Sequence, residues 1–273
     1  MGGIAPQAAL DRGIEAALKH DRRVVTVSLV LVIALAWLYL WRDAQAMMSH
    51  MDMPGMDVPG MSMEGMSHPS SAVALALTFA MWVVMMIGMM LPSAAPTVLL
   101  YGALVRKNGE RGNVLPAVWV FTSGYLLVWA GFSVAAALLQ ALLEHTGLLT
   151  PMMASASVSL SAALLIAAGI YQWLPLKEVC LRKCRNPIEF FATRWRAGRS
   201  GALRMGIEHG VYCFGCCWVL MLLLFVAGVM NLLWVALLAG FVLIEKLLPG
   251  HRLTTRVASV VLILSGLLLL IKS

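Results

Sequence analysis

Long apolar runs alternate with short polar, mostly basic segments along nearly the whole chain. The runs fall at 24–41, 72–100, 115–143, 152–175, 209–230, 232–248 and 257–271. A bilayer core about 30 Å thick takes about 20 apolar residues in helical form to cross. Only a helix or a closed barrel satisfies all backbone polar groups there. The pattern therefore predicts an all-α, polytopic integral membrane helical bundle of about seven transmembrane helices. The run at 72–100 holds Pro92 and Pro96, and proline cannot donate to the helical ladder. This run is expected to end a span near Leu91 and to continue as a kinked or re-entrant piece.

The same pattern divides the chain in three. Residues 1–41 form a polar N-terminus and a first transmembrane anchor. Residues 42–71 form a polar, Met-rich loop. Residues 72–273 form a membrane-embedded helical domain with the candidate metal ligands. Ala44-Gln45-Ala46 has the form of a signal-peptidase site, but the apolar run before it exceeds the usual 7–15 residue signal core. We read it as an uncleaved anchor.

Composition agrees with a membrane solvent: 61% of residues are hydrophobic and 12% charged, against about 25% charged in soluble domains. Of the 20 lysines and arginines, only Arg42 and Lys272 fall outside the segments 1–23, 101–113, 176–204 and 246–256. Basic loops stay on the cytoplasmic side. The expected topology is that of a multi-pass protein of the bacterial inner (cytoplasmic) membrane. Its N-terminus lies inside, the 42–71 loop and the C-terminus outside, and the cysteines at or near the cytoplasmic face. The net charge of +7 thus does not signal nucleic acid, and no basic stretch carries the interleaved aromatics of a nucleic-acid groove. No ATP-binding motif, hydrolase constellation or internal repeat is present, and we expect no enzyme.

Chemistry concentrates in Met205–Met221, reading MGIEHGVYCFGCCWVLM. At about 100° per residue, His209, Cys213 and Cys216 share one face, flanked by Met205 and Cys217. Gly206 and Gly210 form a small-xxx-small pair that admits a close second helix. Cys180 and Cys184 complete the five cysteines. They stand among Lys177, Arg182, Lys183 and Arg185, whose charge would favour thiolate. A lone cysteine is usually a small core hydrophobe. All five in two clusters, with a histidine in phase, point instead to a ligand or redox site. Glu208 and Glu245 are expected near the inner ends of spans, as proton or cation stations or, more simply, as ion pairs such as Glu245 with Lys246.

The outer loop reads MMSHMDMPGMDVPGMSMEGMSH. Its methionines include Met51, Met53, Met56, Met61, Met63 and Met66, with His50 and His68 among them. Its Gly, Pro and Ser background cannot build a core for them. Thioether sulfur suits Cu(I) and hardly binds Zn(II), Mg(II) or Ca(II). Downstream, Met81, Met85 and Met89 line one helical stripe, with Met86 and Met90 alongside. Outer thioethers, a thioether stripe and inner thiols form a gradient of rising Cu(I) affinity. It is similar in design, though not in sequence, to the high-affinity eukaryotic copper importers. The reading is Cu(I) capture outside, followed by relay or delivery to a cuproprotein client or a copper chaperone, with membrane lipid as the surroundings. Two alternatives stay open. One is a membrane thiol-redox protein using the CxxC at Cys213 and Cys216. The other is a structural zinc site built from His209 and the cysteines.

The segments YQWLPLKEVCLRKCRNP, GIEHGVYCFGCCWVLMLLLFVAGVMNLLW and IEKLLPG, with the MMxxMMLPSAAP run, resemble a bacterial family of predicted metal-binding integral membrane proteins. That family is a domain of unknown function with a copper-chaperone label. The likeness covers roughly residues 72–271. It implies that Cys180, Cys184, Cys213, Cys216 and Cys217 correspond to the family's cysteine motifs.

Overall fold

The computed structural model describes residues 4–51, 71–107, 114–150, 154–248 and 251–272, with the side chains of the first helix described from Asp21 to Ala46. Among the described residues ten helices follow one another: α1 (Ile4–Met51), α2 (Ser71–Lys107), α3 (Val114–His145), α4 (Val158–Tyr171), α5 (Pro175–Arg185), α6 (Pro187–Arg194), α7 (Gly198–Leu222), α8 (Leu224–Ala227), α9 (Leu232–Leu247) and α10 (His251–Lys272). Among the described residues there is no strand; one isolated bridge joins Leu149 and Ser155.

Among the described residues, five stretches are long and apolar enough to cross a membrane: Asp21–Ala46, Ala72–Lys107, Val114–His145, Gly198–Ala227 and Arg252–Lys272. The expected seven reduce to these five, or to six if a bent pair counts as one span. The run at 152–175 gives only the 14-residue α4, which meets α5 at a 65° bend. Pro175 opens α5 at its first turn, where a missing N–H costs nothing. The run at 232–248 gives the 16-residue α9, about 24 Å long at 1.5 Å per residue and short of a bilayer core.

Nor does α2 stop near Leu91: it runs unbroken through Pro92 and Pro96 to Lys107. Pro92 has no N–H for the carbonyl of Gly88, one turn back. That carbonyl accepts the Trp37 indole N–H instead, at 3.2 Å. The partner from α1 makes the proline tolerable.

The central contact is between α3 and α7. A Cβ on Gly206 would collide with the backbone carbonyl of Phe121, and one on Gly124 would collide with the backbone of α7. The two glycines face each other, so the helices meet backbone to backbone. Around this pair two cores form. One holds Met81, Met85, Met86, Met89 and Met90 together with all five cysteines. The other is aromatic, with Tyr101, Phe121, Phe190 and Phe191 around Met205. α10 lies on α4, where Ser259 donates to the Gly169 carbonyl at 2.7 Å. Its outer face stays exposed, as does much of α1.

Candidate metal centre

α7 places Cys213, Cys216 and Cys217 on its buried face, one helical turn apart. α5 brings the other two thiols to them. Its buried residues are Lys177, Cys180, Leu181 and Cys184, the i, i+3, i+4, i+7 set of one face. Cys180 rests on Gly215: a Cβ there would stand 2.6 Å from the Cys180 sulfur. Tyr171, at the end of α4, donates its hydroxyl to the Gly215 carbonyl. The glycine inside the CxGCC motif is therefore the seat of α5, whose Cys180 and Cys184 share one buried core with the thiols of α7. All five cysteines are buried and free.

The thioether stripe ends on the same cluster. Met81, Met85, Met86, Met89 and Met90 are all buried, so none of them faces lipid. The Met90 sulfur lies 3.9 Å from the Cys217 thiol. Tyr125 of α3 ties the level together: its hydroxyl donates to the Met90 carbonyl at 3.1 Å and lies 3.1 Å from the Cys213 sulfur.

A lysine stands where the sequence suggested none. Lys246 of α9 puts its ammonium 2.9 Å from the Cys213 sulfur and 3.0 Å from the Ser93 hydroxyl. The expected Glu245–Lys246 pair does not form, because adjacent helical residues point about 100° apart. Glu245 instead receives two hydrogen bonds from Lys177, each 2.8 Å long, and a third from Thr255 at 2.8 Å. Lys177 also donates to Gln172. Three of the four basic residues around Cys180 and Cys184 are thus engaged elsewhere: besides Lys177, Lys183 bonds Glu189, and Arg185 bonds the Leu248 carbonyl. Glu208 is no open station either. It is ringed by Arg194, Arg196 and Arg204 at 3.6, 3.3 and 3.5 Å.

His209 shares the face of Cys213 and its neighbour Tyr125, but otherwise stands in the aromatic core. It sits among Phe121, Tyr125 and Phe190, with ring centroids 6.2, 5.8 and 5.7 Å away. Its Nδ1 is buried without a hydrogen-bond partner. The Cys216 and Cys217 thiols fold back onto the Cys213 carbonyl, at 3.0 and 3.1 Å. Among the described residues no three His, Cys, Asp or Glu side chains converge on a point that would hold an ion. His50 and Met51 fall in the last turn of α1, with side chains outside the described residues; Met53, Met56, Met61, Met63, Met66 and His68 lie outside them altogether.

The motif reading passed over Lys246, Tyr125, Ser93 and Gly215 as site residues, and set Met90 only alongside the thioether stripe. Only Lys246 carried a signal: a charge inside an apolar run marks a functional position by default.

Fold and centre together define a class: an all-helical bundle with five or six helices able to cross a membrane, built around a buried cluster of thiols and thioethers. The family model described as PpoB2, copper chaperone, matches residues 79–269, and the chain belongs to that family. The matched stretch contains the methionine stripe, all five cysteines and Lys246, and excludes the Met-rich segment before α2. No curated protein and no solved structure matches the chain.

Proposed function

We propose that this protein binds and hands on Cu(I) in the bacterial inner membrane, and that it acts as a carrier and not as a catalyst. The observation that carries the reading is the single core formed by five methionines of α2 and all five cysteines. These are soft donors, the class that selects Cu(I) over harder cations. The copper-chaperone family supports the same cargo.

In this reading the ion is captured by the methionines and histidines at 47–68, passes along Met81, Met85 and Met89, and reaches the thiols through Met90 and Cys217. The five cysteines then hold it until a client protein or second chaperone takes it. Cys216 and Cys217 leave the Cys213 carbonyl to do so, which takes a change of side-chain rotamer. His209, in its aromatic pocket, is a flanking group on the way to the basic end of α7.

The test is elemental analysis of the purified full chain, with Cys213 and Cys216 replaced by serine. We expect bound copper in the wild type and its loss in the variant. Deleting 47–66 should weaken copper loading at low supply and leave much of it at high supply, since mass action offsets a lost capture segment. A reversible Cys213–Cys216 disulfide with no bound metal would assign the protein to thiol exchange instead. Zinc in place of copper would leave only a structural site.

A further inference from the structure

Among the described residues one ammonium, that of Lys246, contacts a thiol of the cluster. Lys246 is only 7% exposed, and it reaches Cys213 and Ser93 from α9. Its neighbour Glu245 does not offset it, because that carboxylate is already neutralised by Lys177. Among the described residues no carboxylate bonds the Lys246 ammonium.

We propose that Lys246 is the fixed counter-charge that makes this cluster selective for a monovalent ion. The proposal rests on the copper reading and adds the charge of the cargo. When Cu(I) is held by two thiols, two S–H bonds break, two S–Cu bonds form and two protons leave to the surroundings. The oxidation state of copper and sulfur does not change. The bis-thiolate complex carries one negative charge, and the lysine brings the site to neutrality. A divalent ion on the same two thiolates would leave the site with a net positive charge. Burying an uncompensated charge in an apolar interior is strongly unfavourable. A divalent ion regains neutrality only by drawing in a third thiolate, one more sulfur than Cu(I) needs. The role of Lys246 is to set which net charge the sulfurs accept.

The experiment measures Cu(I) and Zn(II) affinities of the detergent-solubilised full chain, each by competition with a chromogenic chelator. Lys246→Met keeps length and removes charge. We expect its Cu(I) affinity to fall roughly tenfold or more, as for a buried charge pair that loses one partner, while Zn(II) affinity holds or rises. Lys246→Arg should keep the wild-type preference. Ser93→Ala, which removes only the hydroxyl steadying the ammonium, should shift the Cu(I):Zn(II) ratio the same way by less. An unchanged ratio in Lys246→Met overturns the proposal. So does an equal loss of both ions in the Met and Arg variants, which assigns Lys246 to packing. A wild-type chain that binds no Cu(I) defeats the copper reading itself and is distinguished by that result.

Discussion

Lys177 and Lys246 are both buried, and both lie where α5, α7 and α9 meet, yet they face opposite surroundings. Lys177 meets the Glu245 carboxylate, with the Gln172 carbonyl oxygen accepting from the lysine and the Thr255 hydroxyl donating to the carboxylate. Lys246 meets a thiol, a hydroxyl and no carboxylate. The first arrangement is electrically complete and fastens α5 to α9. The second is complete only when sulfur carries charge. Two lysines on neighbouring helices thus separate a structural charge from one that belongs to the site.

Glu245→Ala tests the structural half and should cost most. It strands Lys177, which with Glu245 is 2% exposed, and breaking such a pair typically costs about 3–5 kcal/mol. Thermal unfolding of the solubilised chain would show it as a clear drop in Tm. Replacing Lys177 and Glu245 together with methionine should recover most of the loss. By contrast, Lys246→Met in metal-free protein should be neutral to stabilising, since it removes a buried charge without stranding another. Equal destabilisation by Glu245→Ala and Lys246→Met would erase the distinction between the two lysines.

Gly215→Ala comes next. Its Cβ would press on the Cys180 sulfur, and overpacking costs about 1–3 kcal/mol. Copper retention should fall with stability, because α5 carries two of the thiols. Met90→Leu conserves volume and should cost less than about 1.5 kcal/mol. It removes the thioether beside Cys217, so slower copper loading with little change in Tm is expected. Smallest is Glu189→Gln. Lys183 holds the Glu189 carboxyl below the usual carboxylate range, first by their hydrogen bond and then by its charge. That contribution is present above the unfolded pKa and is lost as pH falls through the lower folded value. The pair is solvent-exposed, and exposed pairs add little; at neutral pH the variant's Tm should match the wild type.

The sequence by itself determined the helical, membrane-compatible architecture, because hydrophobic run length is a property of neighbouring residues. It also placed the chain in its family through the MMLPSAAP and CFGCCW segments. It put Cys213, Cys216 and Cys217 on one face, because helical phase is local. What it could not settle were relations between helices. Whether α4 and α9 cross a bilayer depended on where each helix begins and bends, which the apolar runs at 152–175 and 232–248 do not reveal. Pro92 reads locally as a break; α2 continues because Trp37, far off in sequence, takes up the freed carbonyl. His209 is in phase with the cysteines, yet Phe121 and Phe190 wall it into a different core. Lys246 stands beside Glu245 in the chain, but the helix turns them apart, and only the packing of α5 and α7 against α9 decided that one would meet a lysine and the other a thiol.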